Sequence, residues 1–403
     1  MRFEDTTWAW RRDIPLRYLL VGQEWDGGQE LWAKCGDAAG LFVDPVPVRE
    51  TLTFVTCAPT GRLLKAVERS AREPVRLGHL AVTVDFPDDH PDSWGGYWCH
   101  YWQLDEAVVL GSRPAATDPR LLDVLVEAEV TGPAEPMYRP GPVIEPEDCE
   151  VRVQNGTGAV IGKCRRIAGL YDDSRPGPDP APPIRLVGVE PGAPLLDRLV
   201  RPTTPGSEVE LWVLDHTGRV IHSEDGLFLD IEGTRPSALG GALVDIALGR
   251  ALPYPPGSAA HAVWEEWFTG GSPTAPGRWA RFPTAGRQEW LRLCAPGLGD
   301  VPAGDTRRLD GRHVTDVPGL KCALGEAVIG PGHRFDLCWG MLQGCSCGGD
   351  TLPGGPFTLV WHDSEVARRA LASDLGVDPT GELDFFEATL KYLRRLGITV
   401  VLR

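Results

Sequence analysis

Apolar and polar residues alternate in short runs over the first 250 positions, with Gly and Pro cutting one run from the next. Val82-Thr-Val-Asp-Phe86 and Glu208-Val-Glu-Leu-Trp-Val213 carry the two-residue period of strands with one buried face. Arg62–Val67 and Pro194–Val200 carry a short helical period instead. From Arg308 the texture changes. Leu309–His313 reads as a strand end and turn, Val317–Val328 as a helix and Pro356–Trp361 as a short apolar strand. Ser364 to about Leu371 and Asp384–Leu396 read as further helices, and Ile398–Leu402 as a buried strand. Leu383, Phe386, Leu390 and Leu393 share one helical face, with Glu387 and Lys391 an i,i+4 pair beside it. Strands alternating with helices predict a parallel sheet with helical crossovers.

The front pattern occurs twice. Leu31-Trp-Ala-Lys-Cys35 through Ala39-Gly40-Leu41 returns 129 positions later as Val160-Ile-Gly-Lys-Cys164 through Ala168-Gly169-Leu170. Leu52–Pro59 with Leu63-Leu64 matches Ile184–Pro191 with Leu195-Leu196 at an offset of 132. Gly111-Ser-Arg-Pro114 with Leu121-Leu-Asp-Val124 matches Gly233-Thr-Arg-Pro236 with Leu243-Val-Asp-Ile246 at 122. Collinear blocks with small offset changes imply a tandem duplication. Copy one covers 1–131 and copy two 150–250, joined by a Pro-rich connector at 132–149. Each is expected to be a small, mostly β module.

The two copies help to read each other. Asp26-Gly27 and Asn155-Gly156 occupy the same place and suit a type I′ hairpin, whose central residues both need positive φ. That placement argues against a phosphate-binding role for Gly156-Thr-Gly158, since such a loop follows a strand and opens a helix. Cys35 and Cys164 are equivalent, which suits small core residues. Arg113 and Arg235 are also equivalent, and either bond a backbone carbonyl, the expected role, or bind an anion. Copy one carries ten extra residues between Asp85 and Leu110. Asp88, Asp89 and Asp92 lie there, ahead of an aromatic stretch from Trp94 to Trp102, where copy two has a tight hairpin at Asp215–Gly218. Trp94, Tyr97 and Trp98 are candidate partner-binding residues, because Trp and Tyr on loops dominate binding hot spots. The other reading has the stretch covering its own core. Residues 251–307 are too rich in Trp for a free linker, and Trp264, Trp267, Trp279 and Trp290 are expected to pack onto a module. Trp290–Pro296 shares the Cys-Ala-Pro ending of Leu52–Pro59, a hint of a third copy.

Charge and composition narrow the function classes. The chain of 403 residues has a net charge of −16. Residues 308–403 hold 12 acids and 10 bases, so −14 falls on the remainder. No basic stripe exists, which disfavours nucleic acid and anionic lipid as partners. An acidic surface suits a basic partner. Met1–Ile14 has no apolar core of signal-peptide length, and no run approaches the ~18 apolar residues of a membrane span. The ten cysteines are accordingly expected to be reduced thiols in a cytoplasmic protein.

The last 96 residues resemble the barstar family of ribonuclease inhibitors. The Leu309-Asp-Gly opening, the helix after it, the Pro356–Trp361 strand leading into a helix, and the terminal Ile398–Leu402 strand follow the family's order. The resemblance implies a three-stranded parallel sheet with helices. The fold class expected for the whole chain is therefore α+β, mostly β tandem modules followed by a C-terminal α/β domain at 308–403. The resemblance also implies capture of a protein partner, a basic nuclease or toxin, through acidic residues on a helix after a Pro-Gly loop. Here that stretch runs from Pro331 to Cys345, and the family's acidic positions fall on Cys338 or Trp339 and on Leu342 or Gln343. Asp336 remains near the loop, and Glu387 matches a further family acid. Asp336, Trp339, Gln343 and Glu387 are thus the partner-binding candidates of this domain.

Sites of chemistry are sparse in the sequence. His333, Cys338, Cys345 and Cys347, with Cys322 beside them, offer soft ligands but lack the paired Cys knuckles of zinc sites, so no metal is expected. No G-x-S-x-G elbow, Walker loop or H-E-x-x-H motif occurs, so no cofactor and no enzymatic activity are expected. His100 and His222 lie near acids without a third partner, and Asp172-Asp173 and Glu224-Asp225 read as solvated turn carboxylates. The leading expectation is an inhibitor or immunity-like binding protein. The alternatives are a regulatory or scaffold protein that has lost the inhibitory surface, and an unrecognised enzyme in the duplicated half.

Overall fold

The computed structural model describes residues 6–23, 28–44, 49–85, 99–131, 150–155, 160–170, 182–201, 208–249, 252, 255–297, 301–335, 355–372 and 384–403. Copy one supplies β1 (Tyr18–Gln23), β2 (Gln29–Ala39), β3 (Arg49–Pro59), α1 (Gly61–Ser70), β4 (Val75–Asp85), β5 (Cys99–Pro114) and β6 (Leu122–Thr131). Copy two follows the same plan. It supplies β7 (Glu150–Asn155), β8 (Val160–Cys164), β9 (Arg166–Ala168), β10 (Arg185–Pro191) and α2 (Ala193–Val200). It ends with β11 (Glu208–Leu214), β12 (Val220–Phe228), β13 (Ile231–Pro236) and β14 (Val244–Leu248). The rest holds α3 (Ser258–Gly270), a 3-10 turn at Arg278–Arg281, α4 (Thr284–Leu293) and β15 (Ala295–Gly297). Then come β16 (Thr306–Asp310), α5 (Val317–Val328), β17 (His333–Phe335), β18 (Thr358–His362), α6 (Ser364–Ala370), α7 (Phe385–Arg395) and β19 (Thr399–Leu402).

The copies exchange their first strands. The chain forms two compact units, one of Met1–Pro45, Asp179–Asp300 and Leu309–Asp336, the other of Val46–Pro178, Val301–Arg308 and Leu337–Arg403. In the second unit β4, β5, β6 and β3 of copy one are completed by β7 and β8 of copy two, in the order β6-β5-β4-β7-β8-β3, and a β6–β3 pairing shuts the ring. The result is a closed, six-stranded antiparallel barrel. The first unit mirrors it: β1 and β2 of copy one stand between β11 and β10 of copy two, in the order β12-β11-β1-β2-β10-β14-β13. The strand equivalent to β5 is divided here. Its first part, β12, pairs with β11, and its second, β13, pairs with β14. β1 pairs antiparallel with β2 and β7 with β8, while the turns expected at Asp26-Gly27 and after Asn155 lie outside the described residues.

Alternation explains the barrel. Leu52 and Phe54, Val82 and Val84, Val124 and Val126, and Val151 and Val153 are i,i+2 pairs that point inward and are buried. Leu63, Ala66 and Val67 of α1 join the same cluster. Fully burying a side chain of this size contributes about 1.5–3 kcal/mol. Trp102, the end of the aromatic stretch, is buried in this core as well. The Trp-rich segment packs onto the first unit, as expected. Trp264, Trp267, Trp279 and Trp290 are all buried, and Trp264 meets Tyr18 of β1 and Phe42 at ring distances of 6.5 and 5.1 Å.

Two expectations are corrected. Strand accounts for 44% of the described residues and helix for 25%, in large antiparallel sheets, so the chain is mostly β rather than α+β. The reason is local: each copy has one short helix, of 10 and 8 residues, and its remaining apolar positions have period two. Nor is 308–403 one separate α/β domain around the expected three-stranded parallel sheet, since its residues divide between the two units. Its parallel content is a small sheet, β16-β18-β19, in which β18 and β19 run parallel, and β17 pairs parallel with β15. α5 and β17 lie in the unit that holds α4. Cys294 closes helix α4 and Ala295-Pro296 open the three-residue β15, so the Cys-Ala-Pro run does not end a long strand as it does in β3. No helix among the described residues is long and apolar enough to cross a membrane.

Candidate partner-binding site

Glu387 is the one sequence-derived candidate within the described residues; Asp336, Trp339, Gln343, Trp94, Tyr97 and Trp98 lie outside them, as does Gly156–Gly158. Asp384 caps α7, its carboxylate accepting the Glu387 N–H at 2.8 Å. This places Glu387 in the first turn, where a carboxylate also favours the helix dipole. Its side chain is half-buried and pairs with Arg368 of α6. Arg368 in turn bonds Glu365 at 3.1 Å and lies over Phe386, 4.5 Å from the ring centroid. Phe386 stands 5.1 Å from Trp361 of β18, and both rings are buried. The carboxylate is therefore held on a rigid base, but its charge is already matched. Both helices end in basic pairs, Arg368-Arg369 and Arg394-Arg395, so this surface mixes charges.

The duplicated Arg-Pro and Asp motif has one structural role in both copies. Arg113 lies opposite Asp123 across β5 and β6, and Arg235 opposite Asp245 across β13 and β14. Each pair is joined by side chains, at 3.3 Å in copy one and 3.2 Å in copy two. The second carboxylate oxygen accepts a backbone N–H, from Thr56 at 3.1 Å and from Gly188 at 3.0 Å. Those two residues are themselves equivalent, and both have left-handed backbone, φ 54° and 64°. The motif thus clamps a β-bulge. The arginines bond side-chain carboxylates rather than the expected backbone carbonyl.

A third polar cluster lies in the first unit, between β12 and the helices. Glu224 Oε1 is 3.0 Å from His222 Nε2, and Arg292 of α4 bonds Glu224 and, at 3.2 Å, Glu289. Glu289 also accepts the Trp264 indole N–H at 2.5 Å. Glu224 and Glu289 are buried, which overturns the reading of Glu224 as a solvated turn carboxylate. Burial, with Glu210 and Glu224 nearby, pushes the neighbouring Asp225 carboxyl above its ordinary value. His222 and Glu224 at i,i+2 were visible in the sequence; Arg292, 70 residues on, was not. One guanidinium shared by two carboxylates fastens helix to strand.

Of the soft ligands weighed for zinc, Cys322 is buried and His333 Nδ1 sits 3.0 Å from the Pro331 carbonyl, while the rest lie outside the described residues. No family model, curated protein or solved structure matches the chain.

Proposed function

We propose that the chain is a protein-binding protein of the inhibitor or immunity type, with its partner surface in the C-terminal segment. The observation that carries this reading is the small sheet β16-β18-β19, with β18 and β19 parallel and α6 and α7 between them in sequence. It supports the barstar-like order of elements, and Glu387 gives the surface a carboxylate fixed on a capped helix. A basic nuclease or toxin would have to displace Arg368 to use that carboxylate.

The test uses full-length protein and point variants as bait in a native extract. Any captured partner is then purified and assayed for loss of its own activity. A truncation at Thr306 would strip α5 and β17 from the first unit and is unsuitable. E387Q should weaken capture about tenfold, the equivalent of ~1.4 kcal/mol. R368A should strengthen it by freeing the carboxylate. The internal neutralisation of Glu387 favours a second reading, a scaffold without inhibitory action. A captured partner that keeps full activity and ignores both substitutions would establish that reading instead.

A further inference from the structure

We propose that Cys57 of β3 and Cys164 of β8 are a disulfide-forming pair that joins the first copy to the second inside the barrel. The argument begins with register. β3 and β8 run antiparallel with Ala58 opposite Lys163 and Pro59 opposite Gly162. The next step along the ladder sets Cys57 opposite Cys164. The Thr60 N–H donates to the Ile161 carbonyl at 2.8 Å, so that pair is hydrogen-bonded. Strict alternation then makes Cys57 and Cys164 a non-hydrogen-bonded pair, whose Cα atoms approach to about 4.5 Å. Disulfides span Cα separations of about 4.4–6.8 Å.

Side-chain placement agrees with the register. Both thiols are free and buried, at 0% and 5% exposure, and both belong to the barrel's core. The Cys57 sulfur packs close over Gly162, where a Cβ would stand 3.4 Å from it and 2.9 Å from Leu63. The first unit supplies an internal control. Its equivalent thiol, Cys35, lies opposite Val189 and has no cysteine across the ladder.

The chemistry requires an oxidant, and hydrogen peroxide is the class that fits. One thiol gives up its proton and, as thiolate, attacks a peroxide oxygen; the O–O bond breaks, giving a sulfenic acid and a hydroxide that takes up that proton as water. The second thiol attacks that sulfur, the S–S bond forms, and a second water leaves. Two electrons pass from the sulfurs to the peroxide. The hydrogen bond to Cys57, and burial after it, push the Cys164 thiol up, so the thiolate is scarce and the reaction slow. A bulky disulfide oxidant would need room for a mixed disulfide that the core does not offer.

The experiment treats the full-length protein with peroxide, blocks the remaining thiols after unfolding, and maps the unreduced digest by mass spectrometry. A peptide linking Cys57 to Cys164 is expected, with a rise in melting temperature of roughly 5–10 °C that dithiothreitol reverses. C57A and C164A should each abolish the link and the rise, whereas C35A should leave both. V189C should add a second bond, to Cys35. Two results would overturn the pairing: both thiols recovered unlinked, or sulfinic acid formed on either without the cross-link. Because V189C builds the same geometry independently, failure of both bonds would condemn the register argument itself.

Discussion

At the residue scale, the best-defined device is the carboxylate that clamps each bulge. Asp245 is buried, and its folded-state carboxyl is lower than the ordinary 3.8. Burial pushes it up, but hydrogen bonds from Ser237, the Gly188 N–H and Arg235 outweigh burial. Removing the acceptor leaves the Gly188 N–H unpaired beside Leu239, where the backbone is left-handed and a Cβ would meet Leu239 at 2.6 Å. Asp245→Ala should therefore cost about 1–3 kcal/mol in urea unfolding at neutral pH. Arg235→Ala should cost about 0–1 kcal/mol, since that side chain is 63% exposed. The pH dependence has a definite sign. A depressed carboxyl stabilises fully above its unfolded value, and this contribution disappears as pH falls below 3.8 through the folded value. The gap between wild type and Asp245→Ala should then narrow on acidification; a constant gap would contradict the clamp.

At the element scale, what could be read from sequence depended on how local each signal was. Helix α5 was legible to the residue because Asp316 caps it and Pro318 stands in its first turn. The expected helix and strand around Glu387 also formed, yet its partner Arg368 was not foreseen, because it comes from α6 and not from the next turn of α7. Helices α3 and α4 were missed. Trp264, Trp267 and Trp290 are buried on several sides, so neither helix shows the single apolar stripe that reveals a surface helix. What joins α4 to α5 is polar. Arg287 is buried, bonds Thr315 Oγ1 and Asp316 at 2.8 and 3.0 Å and the Ala280 carbonyl at 2.9 Å, and stacks on Trp279 at 5.4 Å. Arg287→Ala removes the only cation paired with the Asp316 carboxylate among the described residues, leaving it the Thr284 hydroxyl and the Gly319 N–H in a half-dry site. A loss of about 3 kcal/mol is expected, followed by tryptophan fluorescence during denaturation, because the Trp279 ring loses its stacked cation. A loss below about 1 kcal/mol would mean that water replaces the guanidinium.

At the scale of the whole chain, the duplication was legible and the strand exchange was not, for one physical reason. A β1–β2 hairpin presents the same alternating face whichever copy it completes, so the period-two pattern cannot tell its own barrel from its neighbour's. The exchange has a mechanical consequence. The barrel of the second unit needs β7 and β8, and the sheet of the first needs β1 and β2, so each contains strands from both sides of residues 132–149. β1 alone pairs with β11 over four registered positions, and β4 pairs with β7 over six. A protease site placed in the connector should therefore give two fragments that co-elute in size-exclusion chromatography at the mass of the intact chain. They should separate only in denaturant, and the nicked protein should unfold at a lower urea concentration as it is diluted, because unfolding now releases two molecules. Copies that kept their own first strands would behave differently. The fragments would part without denaturant, and each would retain the far-ultraviolet β signal of a closed barrel. The two arrangements bury the same side chains, so only the connectivity, tested by cutting it, tells them apart.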